Sequence, residues 1–124
     1  MQKYVLGFMF DKLKDKVVLI KKSKPKWQEG FLNGVGGKVE AFDGSEASAM
    51  CREFYEETGV KTREDEWSFL LEMEEPGNFS VVVFYCFSDK YKNAKTMEHE
   101  EVCVISIEED WTFIRENSIS NVPW

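Results

Sequence analysis

The sequence predicts an α+β fold in which a mixed sheet carries one well-marked helix, and three observations lead there. Short runs of aromatic and β-branched residues alternate with polar, turn-forming stretches. One stretch, residues 44–59, instead repeats its apolar residues at helical spacing. A chain of 124 residues that is 43% apolar supplies one hydrophobic core and leaves no room for a second, so 1–124 reads as a single domain.

The elements follow in order. Residues 4–10 are aromatic and aliphatic, residues 17–20 form a short β-branched run, and the polar residues 11–16 between them suit a hairpin connection. Residues 21–30 are basic and contain Pro25, which argues against a regular element. Gly34, Gly36 and Gly37 punctuate a short extended segment ending at Val39. The helix opens with a predicted capping box, Asp43-Gly44-Ser45-Glu46, with Asp43 as the cap. It closes at Gly59, a residue suited to the left-handed terminal position. Ala47, Met50, Cys51, Phe54 and Thr58 form its buried stripe. Residues 67–73, 79–87 and 102–107 are the remaining strands; Pro76-Gly77-Asn78 is a turn and residues 90–101 a polar loop.

Composition narrows the function. The net charge is −7, from 16 basic and 23 acidic residues, which argues against a duplex nucleic-acid partner. The longest apolar run, residues 81–87, is far short of the ~20 residues of a membrane-spanning helix. The lone histidine, His99, leaves no His-rich zinc site. Cys51, Cys86 and Cys103 form no Cys-x-x-Cys pair, so they read as buried, inert thiols of a reduced, cytoplasmic protein.

The acid surplus has a local focus. At ~100° per residue, Glu53, Glu56 and Glu57 share one arc of the helix, well away from the centre of the buried stripe. They repel one another and occupy the C-terminal half, the end the helix dipole makes unfavourable for anions. Arg52 offsets only part of that. A solvated acidic face is one reading; the other is a hard divalent cation held by oxygen ligands, which turns the repulsion into ligation.

These residues resemble the Nudix box, Gly-x5-Glu-x7-Arg-Glu-U-x-Glu-Glu-x-Gly-U, with U bulky and apolar. Arg52-Glu53-Phe54-Tyr55-Glu56-Glu57-Thr58-Gly59-Val60 matches its second half at every fixed position. The first half departs. Counting from Gly37 lands on Asp43, and eight residues rather than seven separate it from Arg52. One extra residue in the loop 41–45 accounts for this and leaves Asp43, Glu46 or neither in place of the outer glutamate.

The resemblance implies an α/β/α sandwich around a mixed sheet, and hydrolysis of a nucleoside diphosphate linked to another moiety with Mg²⁺ or Mn²⁺. By the same resemblance Glu53, Glu56, Glu57 and the Gly37 carbonyl hold metal and Arg52 orients the glutamates. A further carboxylate comes from the loop after the long strand, with Glu101 the best-placed match and Glu98 the second. The catalytic set is then Arg52, Glu53, Glu56 and Glu101, with Glu53 or a residue of the loop 98–101 as general base.

Asn33-Gly34-Val35-Gly36-Gly37-Lys38 is similar to a stretch of the MutT-like, oxidised-purine sanitising branch, with Leu32 where that branch has Trp. Asn33 either reads a base edge or caps a glycine turn. Lys22, Lys38 and Trp27 complete the substrate-binding candidates. A nucleoside triphosphate cleaved to monophosphate and pyrophosphate is the leading expectation. Pro76, sixteen residues beyond Val60, either is a turn proline or matches a spacing found in ADP-ribose hydrolases of the family the chain resembles, and that resemblance implies ADP-ribose or nucleotide-sugar hydrolysis as the alternative. A non-catalytic nucleotide sensor is the third reading. The expected partner is the small nucleotide alone, bound by a monomer or homodimer; residues 107–119 or a second subunit supply the last layer.

Overall fold

The computed structural model describes residues 1–23 and 30–107. Among them are β1 (Gln2–Phe10), β2 (Lys16–Lys21), β3 (Leu32–Asn33), β4 (Val35–Lys38), α1 (Glu46–Thr58), β5 (Ser68–Glu75), β6 (Phe79–Phe87) and β7 (Glu101–Ser106). The strands join into one seven-stranded mixed sheet with the path β3-β2-β1-β6-β5, on which β4 adds to β1 and β7 to β2.

The central pair is β1 and β6, parallel from Gln2↔Phe79 to Phe10↔Phe87. The other edge of β1 is divided. Met9 and Phe10 pair with Val18 and Val17 of β2, while Tyr4 to Gly7 pair with Lys38 to Val35 of β4. Strands β1 and β2 therefore diverge after one end, and the chain from Leu32 to Lys38 runs through the gap. It contacts β2 first, through Ile20↔Asn33, and then crosses to β1. The single extended segment expected from the glycines is thus two short strands. The crossing lies so close to β1 that a Cβ on Gly36 would run into the Val5 carbonyl.

Strand alternation sorts side chains onto two faces. Val5, Met9, Val18, Ile20, Val82, Phe84 and Cys86 pack with Ala49, Met50 and Phe54 of α1, and the Phe54 and Trp67 rings meet edge-on at 5.2 Å. Leu6, Val81 and Val83 form a second cluster, and Val17, Leu19 and Leu32 a third. A sheet apolar on both faces belongs between two layers. Most of the stretch expected to form the second layer, residues 107–119, lies outside the described residues, as do Trp27 and Pro25.

Three local expectations are corrected. The cap of α1 is Ser45, whose Oγ accepts from Ser48 N at 3.0 Å, and Asp43 lies two residues too early to serve. Glu57 is buried alongside the predicted stripe rather than lying clear of it. The polar loop after β6 begins as a 3₁₀ turn, Asp89–Asn93, capped by Ser88. Of the three cysteines expected to be buried, Cys86 is, while Cys51 and Cys103 are half-buried; burial raises all three thiols, that of Cys86 to about 12, which keeps them protonated. No helix among the described residues is long and apolar enough to cross a membrane.

Candidate active site

The C-terminal turn of α1 leaves carbonyls that need donors. Gly59 N–H reaches Tyr55 O, and the loop after β6 supplies two more, Lys95 N to Thr58 O at 3.0 Å and Met97 N to Glu57 O at 3.3 Å. These bonds pin the loop to the helix end that carries the acids. Glu98 then lies close enough to raise both Glu53 and Glu57, and Glu100 acts on Glu57. Glu100 is itself tied down, accepting from Ser23 N at 2.6 Å with Lys22 Nζ 4.0 Å from its other oxygen.

Arg52 is the hub on the other side. Its Nε and Nη2 grip the two oxygens of Asp43 at 2.7 and 2.9 Å. Nη1 donates to Glu53 Oε1 at 3.0 Å and Glu56 Oε1 at 3.2 Å, and Nη2 also reaches the Lys38 carbonyl at 2.9 Å. Its face lies 5.3 Å from the Phe42 ring centroid. A planar fork holds carboxylates in this way where a flexible ammonium does not. The hydrogen bond from Arg52 holds the Asp43 carboxyl below the usual range, and Asp43 in turn raises Arg52.

Glu53 rests against Gly37. A Cβ there would sit 2.5 Å from its carboxyl atoms, so only glycine lets this carboxylate reach the loop backbone. Burial raises Glu53 to about 7 against the pull of Arg52, with Glu56 and Glu98 adding to the rise. Glu57 is raised to about 8, again by burial first, with Glu53, Glu100 and Glu98 adding and Lys22 opposing. Its Oε2 is buried without a hydrogen-bond partner.

This donor set fits a divalent ion: carboxylate oxygens, an adjacent backbone carbonyl, and one buried oxygen with no other use. As placed, no group of three described acids converges on a single ion-sized point. Arg52 instead draws Glu53 and Glu56 to itself.

The cleft between the diverging β1 and β2 opens beside this cluster. It has a volume of about 140 Å³, with Tyr4, Val5, Ile20, Lys22, Gly34 and Gly37 on its walls. Asn33, next to Gly34, is buried; its Oδ1 accepts from Gly34 N at 2.8 Å, while Nδ2 has no partner. A more polar cleft of about 420 Å³ adjoins, bordered by Lys21, Lys22, Ser23, Gly30, His99 and Glu101, and Lys22 is common to both.

The expected residues Gly37, Lys38, Arg52, Glu53, Glu56 and Glu57 are thus brought together, with Lys22 and Asn33 adjacent. Glu101 is not in that group. It opens β7 opposite Lys21, its Oε2 is 4.0 Å from Cys103 Sγ, and the loop acids acting on the cluster are Glu98 and Glu100. Glu46, one candidate for the outer glutamate, pairs with Lys3 instead. Tyr4 and Ile20 as cleft walls escaped the sequence reading, because strand alternation assigns side chains to faces and not to a gap between strands.

A model of the NUDIX domain matches residues 2–118. The chain belongs to the Nudix family. As a Nudix hydrolase it acts on phosphoric anhydrides. Its sheet and helix are those of the Nudix α/β/α sandwich. A solved structure from a study of MutT from Aliivibrio salmonicida and Vibrio cholerae superposes with a TM-score of 0.71 at 22% identity, over 93% of this chain and 94% of that one. A MutT/nudix family protein from Enterococcus faecalis gives 0.63 at 22%, over 85% of this chain and 43% of that one. The NUDIX domain of Shewanella oneidensis NrtR, complexed with ADP ribose, gives 0.72 at 16%, over 92% and 84%. No curated protein matches the chain by sequence.

Proposed function

We propose that this Nudix hydrolase is a metal-dependent pyrophosphohydrolase that cleaves a nucleoside triphosphate to the monophosphate and pyrophosphate. One juxtaposition carries the reading: a carboxylate cluster with an unpartnered buried oxygen on Glu57 stands beside a cleft walled by Gly34, whose chain neighbour Asn33 has an unpartnered buried amide. The first suits a cation and the phosphates it carries; the second suits a base edge that presents an acceptor.

Glu53, Glu56, Glu57 and the Gly37 carbonyl would hold Mg²⁺ or Mn²⁺, and Glu98 replaces Glu101 as the favoured loop carboxylate. Bound there, the metal supplies neutralisation of phosphate charge and activation of the attacking water. Arg52 keeps Glu53 and Glu56 in register. Asn33 Nδ2 donates to the base, and Lys22 and Lys38 meet the phosphates. As water oxygen bonds to phosphorus, Glu53 accepts its proton, the anhydride P–O bond breaks, and the electron pair leaves with pyrophosphate.

The alternative is ADP-ribose or a nucleotide sugar, supported by the ADP ribose bound in the NrtR neighbour. Pro76 adds little to it, because it sits in the tight β5–β6 turn, where Asn78 N bonds Glu75 O at 3.0 Å. A panel of nucleoside triphosphates, ADP-ribose and nucleotide sugars with Mg²⁺, followed by ³¹P NMR, decides. Pyrophosphate plus monophosphate is the expected pattern. AMP plus ribose phosphate from ADP-ribose alone supports the alternative, and no turnover of any member overturns both.

A further inference from the structure

The departure of this chain from the Nudix box coincides with a local geometry that explains it. In the box pattern seven residues separate the outer glutamate from the arginine; counted back from Arg52, that position is Gly44, which has no side chain to offer. Gly44 takes φ 81°, in the region that favours glycine, and faces open space. The residue before it, Asp43, occupies the Arg52 fork instead, with a side chain only 2% exposed. Its Oδ2 also accepts from Glu40 N at 2.7 Å, closing the 3₁₀ turn Ala41–Asp43 around itself.

We infer that the extra loop residue and the short acid are a matched pair, and that Asp43 is the positioning residue that fixes the Arg52 fork, which in turn fixes Glu53 and Glu56, two of the carboxylates that would hold the metal. The inference rests on the metal-dependent reading above. Gly44 adds one step of backbone, and Asp is one methylene shorter than Glu. The two changes act on the same reach. Arg52 is held on Nε and Nη2 by Asp43 and on Nη2 by the Lys38 carbonyl, so its remaining nitrogen, Nη1, has one direction left. That direction is the shared side of Glu53 and Glu56. A longer acid at 43 has no room in a site this buried, and a shorter loop draws Asp43 off the fork.

Deleting Gly44 places residue 43 at the box spacing from both Gly37 and Arg52, and Asp43→Glu then completes the box. The test compares wild type, Asp43→Asn, Asp43→Glu, the Gly44 deletion and the combined Asp43→Glu/Gly44 deletion. Mn²⁺ binding is read by EPR, kcat and KM separately, and the Arg52 Nε–H resonance by ¹⁵N NMR on metal-free protein. Each single change should weaken Mn²⁺ binding by about tenfold or more, as loss of a group that orients metal ligands does. The loss should fall on kcat rather than KM, with the sharp Nε–H signal gone. The combined variant should return to within about threefold of wild type, the margin that separates rescue from the tenfold loss. The inference falls if Asp43→Glu and Asp43→Asn bind Mn²⁺ like wild type. It falls equally if the combined variant is no better than the worse single, or does not fold while the singles do. A wild type that binds no Mn²⁺ overturns the metal reading and the positioning of metal ligands with it, while the Nε–H signal still decides whether loop and acid are matched.

Discussion

Arg52 is followed by Glu53, Glu56 and Glu57, and Arg63 by Glu64, Asp65 and Glu66, so the sequence offers two similar clusters within fifteen residues. They fold differently. Arg52 is 21% exposed and spreads five hydrogen bonds over three carboxylates and a carbonyl. Arg63 is 72% exposed, bonds Asp65 at 3.0 Å, and lies 3.9 Å from Glu66, which is 2.8 Å from Lys90. Composition is nearly the same, and burial separates them. Against α1 and the Gly37 loop, desolvation raises Glu53 and Glu57 toward neutral pH, whereas charges at the surface interact weakly through water.

The sharpest way to break the comparison is turnover. Glu53→Gln should lower kcat by about 10²–10⁴-fold, the range of general-base assistance, with the fold intact. Glu56→Gln or Glu57→Gln should cost at least about tenfold through the metal site, and excess EDTA should abolish activity. Glu64→Gln, in the exposed cluster, should leave kcat unchanged. Steady-state kinetics of these variants beside Glu98→Gln and Glu101→Gln check the order. If Glu98→Gln loses more kcat than Glu53→Gln, the base belongs to the loop pinned on the helix end.

Stability separates the two arginines next. Arg52→Ala leaves the Asp43 carboxylate buried and without its ion-pair partner, and removing one partner of a buried pair costs about 3–5 kcal/mol. Arg63→Ala removes an exposed pair and should cost less than about 1 kcal/mol. Urea unfolding of the metal-free variants measures both, and equal losses would show that the hub is no better held than the surface pair.

Much of this was legible in the chain. The apolar runs placed five of the seven strands, and the spacing of Met50, Phe54 and Thr58 placed the helix. The second half of the box placed the acids. What escaped was set by neighbours distant in sequence. The break between β3 and β4 depends on β1 and β2 diverging, and two-residue β3 has no periodicity of its own. Glu57 lies at the edge of the stripe, and its burial comes from the loop that docks on its carbonyl through Met97 N. The preference for Glu98 over Glu101 has the same origin, since the docking bonds stop at Met97 and β7 pairing with Lys21 carries Glu101 away.

The pH dependence of the metal-free protein sharpens the contrast further. Glu53 and Glu57 have folded-state values near 7 and 8, above the ordinary 4.5 of an exposed glutamate. The folded state therefore binds these protons more tightly than the unfolded chain does. The stability they contribute is fully present below about pH 4.5 and is lost as pH rises through 7 and 8. A metal competes with the same protons, so the rise in Tm caused by Mg²⁺ should grow between about pH 6 and pH 9. Thermal melts across that range, with and without Mg²⁺, check both slopes. A metal-free Tm that climbs through pH 7 to 8 together with a Mg²⁺ increment that shrinks would reverse the argument.

The smallest effect tests whether exposure is the variable that matters. A double-mutant cycle on Arg63 and Asp65 should give a coupling of about 0.2–0.5 kcal/mol at low salt, because two mobile side chains meet in high dielectric. At about 1 M salt the screening length shrinks to roughly 3 Å, and the coupling should vanish. The same cycle on Arg52 and Asp43 should give a larger value that changes little with salt, since no counterions can enter between groups 2.7 Å apart with the carboxylate shut away from water. Each cycle compares like with like, an arginine fork on an aspartate. A surface coupling above about 1 kcal/mol that persisted in high salt would lie outside the range for exposed pairs. Burial would then not be what separates Arg52 from Arg63, and the cause would have to be sought in the backbone that presents each acid.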